Sequence, residues 1–274
     1  MDTRTSAMVD TVLGPLMVRR TGAGSPALLW HSMFVDSETF AGVTGDLGRS
    51  HELFLVDGPG HGGSPGVRRR YALQDCATAA AQIMDAVGIT DPVDWVGNAW
   101  GGHVGILFAD AYPTRCASLT TIGTPAYALP RGQRQKTSLL VYLYRILGPG
   151  PFTGAVVEAL VGPDADKTAP EAASQVAAAF RRGNRQGKYW AMRSLMLGRP
   201  DLRPVLPRLR VPTLMMSGRE DAMNDLQEAE RAGRSVPDGS FLPVPGNGHV
   251  APLLIAADQV TAAIQGFWSR AGNP

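Results

Sequence analysis

The stretch Asp94-Trp95-Val96-Gly97-Asn98-Ala99-Trp100-Gly101-Gly102-His103-Val104-Gly105 has the spacing of a site for nucleophilic chemistry. It reads as a short apolar strand, a turn too tight for large side chains, and a helix that opens on small residues. Such a turn lifts its central side chain clear of the sheet at the start of a helix. Glycines two before and two after the centre keep neighbouring backbone from colliding with it. Gly97 and Gly101 stand at those places, and Gly102 lets the helix pack closely on the strands. The centre calls for Ser, Cys or Asp, and it holds Ala99. A methyl group can neither attack a carbonyl nor be activated by a base. Two more residues of catalytic type sit in glycine-containing loops. Asp221 closes Ser217-Gly218-Arg219-Glu220-Asp221, and His249 lies in Pro245-Gly246-Asn247-Gly248-His249-Val250-Ala251-Pro252-Leu253. A lone loop histidine is most often only structural, so its placement has to carry the argument.

The elements that would position these residues follow from hydropathy. Residues 11–13 and 16–18 read as a hairpin, and those at 27–30, 53–56, 93–96, 118–122, 211–216 and 240–244 as further strands. Continuous apolar runs such as Ala27-Leu28-Leu29-Trp30 fit strands covered on both faces of a mostly parallel sheet. Helical periodicity is predicted over 35–47, 71–87, 100–108, 226–232 and 256–268. The residues through Ser6 carry no pattern and are expected to be loose. Residues 126–209 alternate helical stretches with Gly/Pro breaks and show no parallel-sheet strand. Helices are expected there at 139–144, 152–161, 170–180 and 189–197. The fold class expected is α/β: a doubly wound, mostly parallel sheet of about eight strands, with a helical block inserted after the sixth. The division is 1–125, 126–209 and 210–274.

Four loops together resemble the α/β-hydrolase family. The elbow matches G-x-[nucleophile]-x-G-G. His31-Ser32-Met33-Phe34 is similar to the His-Gly-x loop, with Ser32 replacing Gly. Asp57-Gly58-Pro59-Gly60-His61-Gly62-Gly63-Ser64 resembles D-x-P-G-x-G-x-S. The Asp221 and His249 loops resemble the strand followed by G-x-x-D and the G-x-G-H-x-x-P-L loop. The resemblance implies that Ala99 holds the nucleophile position, that Asp221 orients the histidine, and that His249 is the general base. Glu220 is the local alternative to Asp221, but spacing favours Asp221. The order nucleophile, acid, histidine is the family's order. It also implies backbone N–H donors for an oxyanion at Met33 and Trp100, a cap formed by 126–209, and a substrate pocket touching His31, Ser32, Phe34, Trp100, Tyr142 and Val250. The resemblance covers nearly all of the core and is weakest in the cap.

Bulk properties narrow the classes. A chain of 274 residues suits one large domain. Hydrophobic content of 44% and charged content of 18% are ordinary for a soluble protein, and a net charge of +2 gives no argument for nucleic acid. Arg68-Arg69-Arg70 and Arg181-Arg182 read as solvated faces. No signal-peptide pattern or membrane-length apolar run is present. Cys76 and Cys116 have no metal-ligand spacing and read as buried thiols, which suits a reduced, cytoplasmic setting. The five histidines show no paired spacing, so no metal is expected, and no cofactor. His61 reads as structural and His103 as a core residue. The expected partner is a small molecule, with the chain a monomer or homodimer.

Three functions remain open. The first is an α/β hydrolase for an ester, lactone or related carbonyl of a largely apolar molecule, inactive or ligand-trapping because Ala99 replaces the nucleophile. Serine is the residue expected to be missing. The dehalogenase and epoxide-hydrolase branches use Asp and carry Pro, or Asn then Pro, after the His-Gly pair, and Met33-Phe34 has neither. The elbow also holds its central residue near positive φ, costing a non-Gly residue about 1–3 kcal/mol. Drift would favour Gly there, whereas Ala is the minimal truncation of Ser. The second is a lyase, isomerase or cofactor-free oxygenase using a His249–Asp221 dyad as base. The third is a non-catalytic small-molecule binder.

Overall fold

Each central strand is apolar on both faces because helices cover both faces. In the computed structural model, which describes residues 5–271, eight strands form one sheet. They are β1 (Thr5–Thr11), β2 (Gly14–Gly22), β3 (Ser25–Trp30), β4 (His51–Val56), β5 (Val93–Asn98), β6 (Cys116–Ile122), β7 (Thr213–Gly218) and β8 (Gly239–Val244). Their spatial order is β1-β2-β4-β3-β5-β6-β7-β8. Only β2 runs against its neighbours, pairing antiparallel with β1 and β4; every other pairing is parallel.

Eleven α-helices accompany the sheet in the described residues. They are α1 (Ala41–Leu47), α2 (Leu73–Ala86), α3 (Trp100–Ala111), α4 (Arg131–Leu147), α5 (Thr153–Val161), α6 (Ala165–Thr168), α7 (Pro170–Arg181), α8 (Arg185–Ala191), α9 (Leu226–Ser235), α10 (Ala251–Ile255) and α11 (Ala257–Ala271). Strand alternation divides β3 between two cores. Leu28 and Trp30 join the α2, α3 and α9 side, while Ala27 and Leu29 join Val43 and Leu47 of α1 and Ile264 and Phe267 of α11. This is the doubly wound arrangement that the runs and helices imply.

Two local expectations need correction. Thr5 and Ser6 are not loose: they pair with Arg20 and Arg19 as the start of β1, and the rest of that expectation lies outside the described residues. An edge strand needs only one apolar face, so its polar residues give little hydropathy signal. The loop after β8 also contains the short α10, with Pro252 in its first turn.

Between β6 and β7, residues 126–209 contain helices and no strand. They include α4 to α8 and, continuing α8, a π-helical turn at Met192–Met196. In one apolar cluster Val157, Leu160 and Val161 of α5 meet Ala173, Val176 and Ala179 of α7, together with Val35 and Val250 from outside the block. Lys188 is buried, and its ammonium donates to the carbonyls of Ala179 (2.9 Å), Phe180 (2.8 Å) and Arg182 (2.5 Å). A cation there satisfies the orphan carbonyls that close α7. No helix of the described residues is long and apolar enough to cross a membrane.

Candidate active site

β5 ends at Asn98 and α3 begins at Trp100, so Ala99 alone makes the turn, at φ 48° and ψ −101°. Its N–H donates to the Ile122 carbonyl of β6 (2.8 Å), and the Gly101 N–H donates to the carbonyl of His31 (3.2 Å). These bonds seat the elbow between β3 and β6. The glycines are obligatory for a steric reason. A Cβ on Gly97 would lie 2.2 Å from the Gly101 carbonyl carbon, and one on Gly101 would lie 1.8 Å from the Trp30 oxygen. Ala99 keeps a strained backbone with no side chain beyond its methyl to justify it.

The loops after β7 and β8 bring Asp221 and His249 together. His249 Nδ1 lies 2.8 Å from Asp221 Oδ2, both residues being buried. The carboxylate can only accept, so the proton sits on Nδ1 and Nε2 carries the lone pair. The other carboxylate oxygen accepts from the Met223 N–H (2.8 Å). The histidine is fixed from two further directions. Asn98, the residue before the elbow, donates its amide to the His249 carbonyl (3.1 Å) and to that of Ile122 (2.9 Å). The N–H groups of His249 and Val250 donate to the carbonyls of Ala159 (3.2 Å) and Leu160 (2.8 Å) in the last turn of α5. Those carbonyls have no intrahelical donor, so the histidine loop completes α5 as α5 holds the loop.

Ala99 and His249 face one cavity of about 70 Å³, walled also by Ser32, Met33, Phe34 and Trp100. The inserted helices close it with Leu160, Leu195 and Met196. Leu195 and Met196 belong to the π-helical turn, whose extra residue re-aims side chains relative to a regular helix. Phe34, Leu160, Met196 and Met223 also line a second, apolar hollow of about 200 Å³ that runs under α4 between Val141, Tyr144 and Phe180. Site and hollow thus share a wall.

Three residues expected at the pocket are elsewhere. His31 is fully buried behind it: Nδ1 donates to the Ser32 carbonyl (2.6 Å), and Nε2 accepts from the Gly58 N–H (2.8 Å). It braces two loops and has no free nitrogen to offer a ligand. Val250 packs into the α5–α7 cluster. Tyr142 is 56% exposed and borders a separate hollow with Arg70, Arg134 and Arg193. Val141 and Tyr144 form the inward face of α4, which turns Tyr142 outward. His61 is a brace too, its Nε2 accepting from the N–H of Phe34 (3.2 Å), a residue held at φ 76°. Burial lowers the pKa of both His31 and His61.

Six cavity residues were missed by sequence: the apolar Leu160, Leu195, Met196 and Met223, and two that carry nitrogen groups. His103 lines the site instead of packing only in the core. Its Nε2 donates to the Pro125 carbonyl (2.8 Å). Burial pushes its imidazole down to about 3, helped by the positive charge of Arg199 and opposed by that carbonyl. It is a neutral wall. Arg199 is the other, and no pattern around Gly198-Arg199-Pro200 distinguishes it from a surface arginine.

Comparison with known proteins identifies the family and the fold. A sequence model described as the alpha/beta hydrolase family matches residues 21–263. The chain is 26% identical over 243 residues to a poly(3-hydroxyalkanoate) depolymerase of Ectopseudomonas oleovorans, spanning 89% of this chain and 84% of that one. It is 27% identical over 254 residues to a pimeloyl-(acyl-carrier protein) methyl ester esterase of Xanthomonas oryzae pv. oryzae, spanning 90% and 96%. Its fold is similar to that of a thermophilic esterase from Thermogutta terrifontis, with a TM-score of 0.88, 24% identity and coverage of 98% and 99%. An enol-lactonase from Burkholderia xenovorans LB400 superposes with a TM-score of 0.85 at 19% identity, covering 97% and 100%.

Proposed function

The chain belongs to the alpha/beta hydrolase family, and on that premise we propose that its site binds the ester, lactone or related carbonyl of a small, largely apolar molecule without cleaving it by nucleophilic attack. One observation carries this reading: the elbow, with Ala99 at φ 48°, faces the same cavity as His249, whose Nδ1–Asp221 hydrogen bond is complete. The His249–Asp221 contact and the elbow backbone support the reading, and the Ala99 methyl offers no attacking atom. The relatives support the carbonyl class, one being named a depolymerase and the other a methyl ester esterase.

In this reading the ligand carbonyl sits over the Ala99 methyl. Its oxygen takes hydrogen bonds from the Met33 and Trp100 amides. Trp100 opens α3, so its N–H has no helical acceptor one turn back. The helices of 126–209 act as the cap, and the hollow under α4 takes an apolar arm of the ligand. His249 Nε2 is poised to take a proton, but Ala99 has none to give.

The test is hydrolysis of short- and medium-chain aryl esters by the present chain, by Ala99→Ser, and by Ala99→Ser combined with His249→Ala. With serine, Oγ attacks the carbonyl carbon while His249 Nε2 accepts its proton. The proton then passes to the departing aryloxide, and water attacks the acyl-serine by the same route. Turnover by Ala99→Ser is expected to exceed that of the present chain by ~1000-fold or more and to vanish in the double variant. The intact dyad favours one second reading, base catalysis on an acidic C–H, O–H or N–H by His249. It takes over if serine brings no turnover while the present chain transforms a ligand in a His249-dependent way.

A further inference from the structure

Arg199 is a cation without a counter-ion inside an apolar site. It lines the cavity with Ala99, Trp100, His103 and His249, and no Asp or Glu is among the lining residues. Among the described residues it has no ion pair and no hydrogen bond, and its Nε is buried without a partner. Its one contact of charge is the face of Tyr127, 5.8 Å from the ring centroid. The neighbouring groups cannot neutralise it. His103 donates its proton to Pro125 and is uncharged, and the Asp221 carboxylate is committed to His249 and to the Met223 N–H. Arg199 is only partly buried, but its Nε is out of water, and a buried polar atom without a partner costs free energy until one arrives. A guanidinium presents parallel N–H donors that match a carboxylate bidentately, and it stays charged throughout the working pH range.

We propose that Arg199 anchors a carboxylate of the ligand, so that the natural ligand is an ester or lactone that also carries a free carboxylate. The inference deepens the reading of the same cavity and rests on it for the placement of the carbonyl. The anion pairs with Arg199 at the polar end of the site, and the apolar remainder extends past Phe34 and Met196 into the hollow under α4. Arg199 is thus a specificity-determining residue.

The test compares hexanoate with hexanamide, a neutral ligand of equal length, by calorimetric titration of the full chain, Arg199→Met and Arg199→Lys. Hexanoate is expected to bind the unaltered chain about tenfold or more tightly than hexanamide, the size of one charged hydrogen-bond pair. Arg199→Met is expected to erase that preference with the amide affinity unchanged, which also reports an intact cavity; Arg199→Lys is expected to restore part of it. Equal affinities in the unaltered chain overturn the proposal, as does a preference that survives Arg199→Met, and so does failure of hexanoate to bind at millimolar concentration. Monomethyl adipate and methyl hexanoate, offered to Ala99→Ser, separate this inference from the ester reading. If neither ester is cleaved but the hexanoate preference depends on Arg199, the ester reading fails and the anion anchor stands. If both are cleaved at equal rates and Arg199→Met changes neither, the anchor fails and the ester reading stands.

Discussion

Residue 99 is where chemistry and backbone strain separate. An elbow at φ 48° and ψ −101° exists to present a side chain, and here it presents a methyl. The same strain gives a stability prediction independent of any ligand. Ala99→Gly relieves about 1–3 kcal/mol of backbone strain and gives back about 0.5–1 kcal/mol through the freer unfolded chain. The variant is therefore expected to be more stable by roughly 1 kcal/mol in urea denaturation. A loss of stability would mean that the methyl is well packed and the strain small. Asp221 and His249 were legible as loop residues with the correct spacing to strand ends. Their 2.8 Å contact was not, because it joins residues 28 apart across two loops.

At the scale of elements, α5 and the histidine loop form one unit. The His249 and Val250 amides end on the Ala159 and Leu160 carbonyls, and the Cβ that Gly248 lacks would meet the Leu160 backbone at 2.5 Å. A motion that opens the inserted helices must then break bonds to the residue that would act as base. Native-state hydrogen exchange should therefore show the His249 and Val250 amides opening with the same free energy as those of α5. Exchange of those two amides at the rate of a free loop, with α5 still protected, would show that insertion and dyad move separately. Periodicity found most of these helices. It did not find the π-helical turn at Met192–Met196, whose effect on Leu195 and Met196 follows from one extra residue per turn and leaves no hydropathy signature.

Across the whole molecule, three buried histidines contribute to the loss of stability in acid. His31, His61 and His103 all have pKa values lowered mainly by burial, His103 to about 3. Below their ordinary value of 6.5 the unfolded chain takes up protons that the folded chain refuses. Stability from these groups is thus fully present above pH 6.5 and falls with pH, by about 1.4 kcal/mol per pH unit for each histidine that stays neutral. For His103 the loss continues until pH nears 3. Unfolding free energies measured from pH 7 to 4 should fall along this slope, and His103→Gln should remove about one histidine's share between pH 5.5 and 4. An unchanged slope in that variant would place the charge-refusing site elsewhere.

By itself the amino-acid sequence determined the fold class, the order of strands and helices, the tight strand-to-helix turn centred on Ala99, and the loops that carry Asp221 and His249. Those features are written in local periodicity and in glycines that a tight turn demands. Only the tertiary structure decided what faces the cavity. Tyr142, Val250 and His31 turn away from it, while His103 and Arg199 turn in, because the walls come from the sheet's strand ends and from inserted helices that meet only after folding. A solvated arginine and a half-buried one that lines an apolar site look alike along a chain; only the packing of the helices of 126–209 against the strand ends tells them apart.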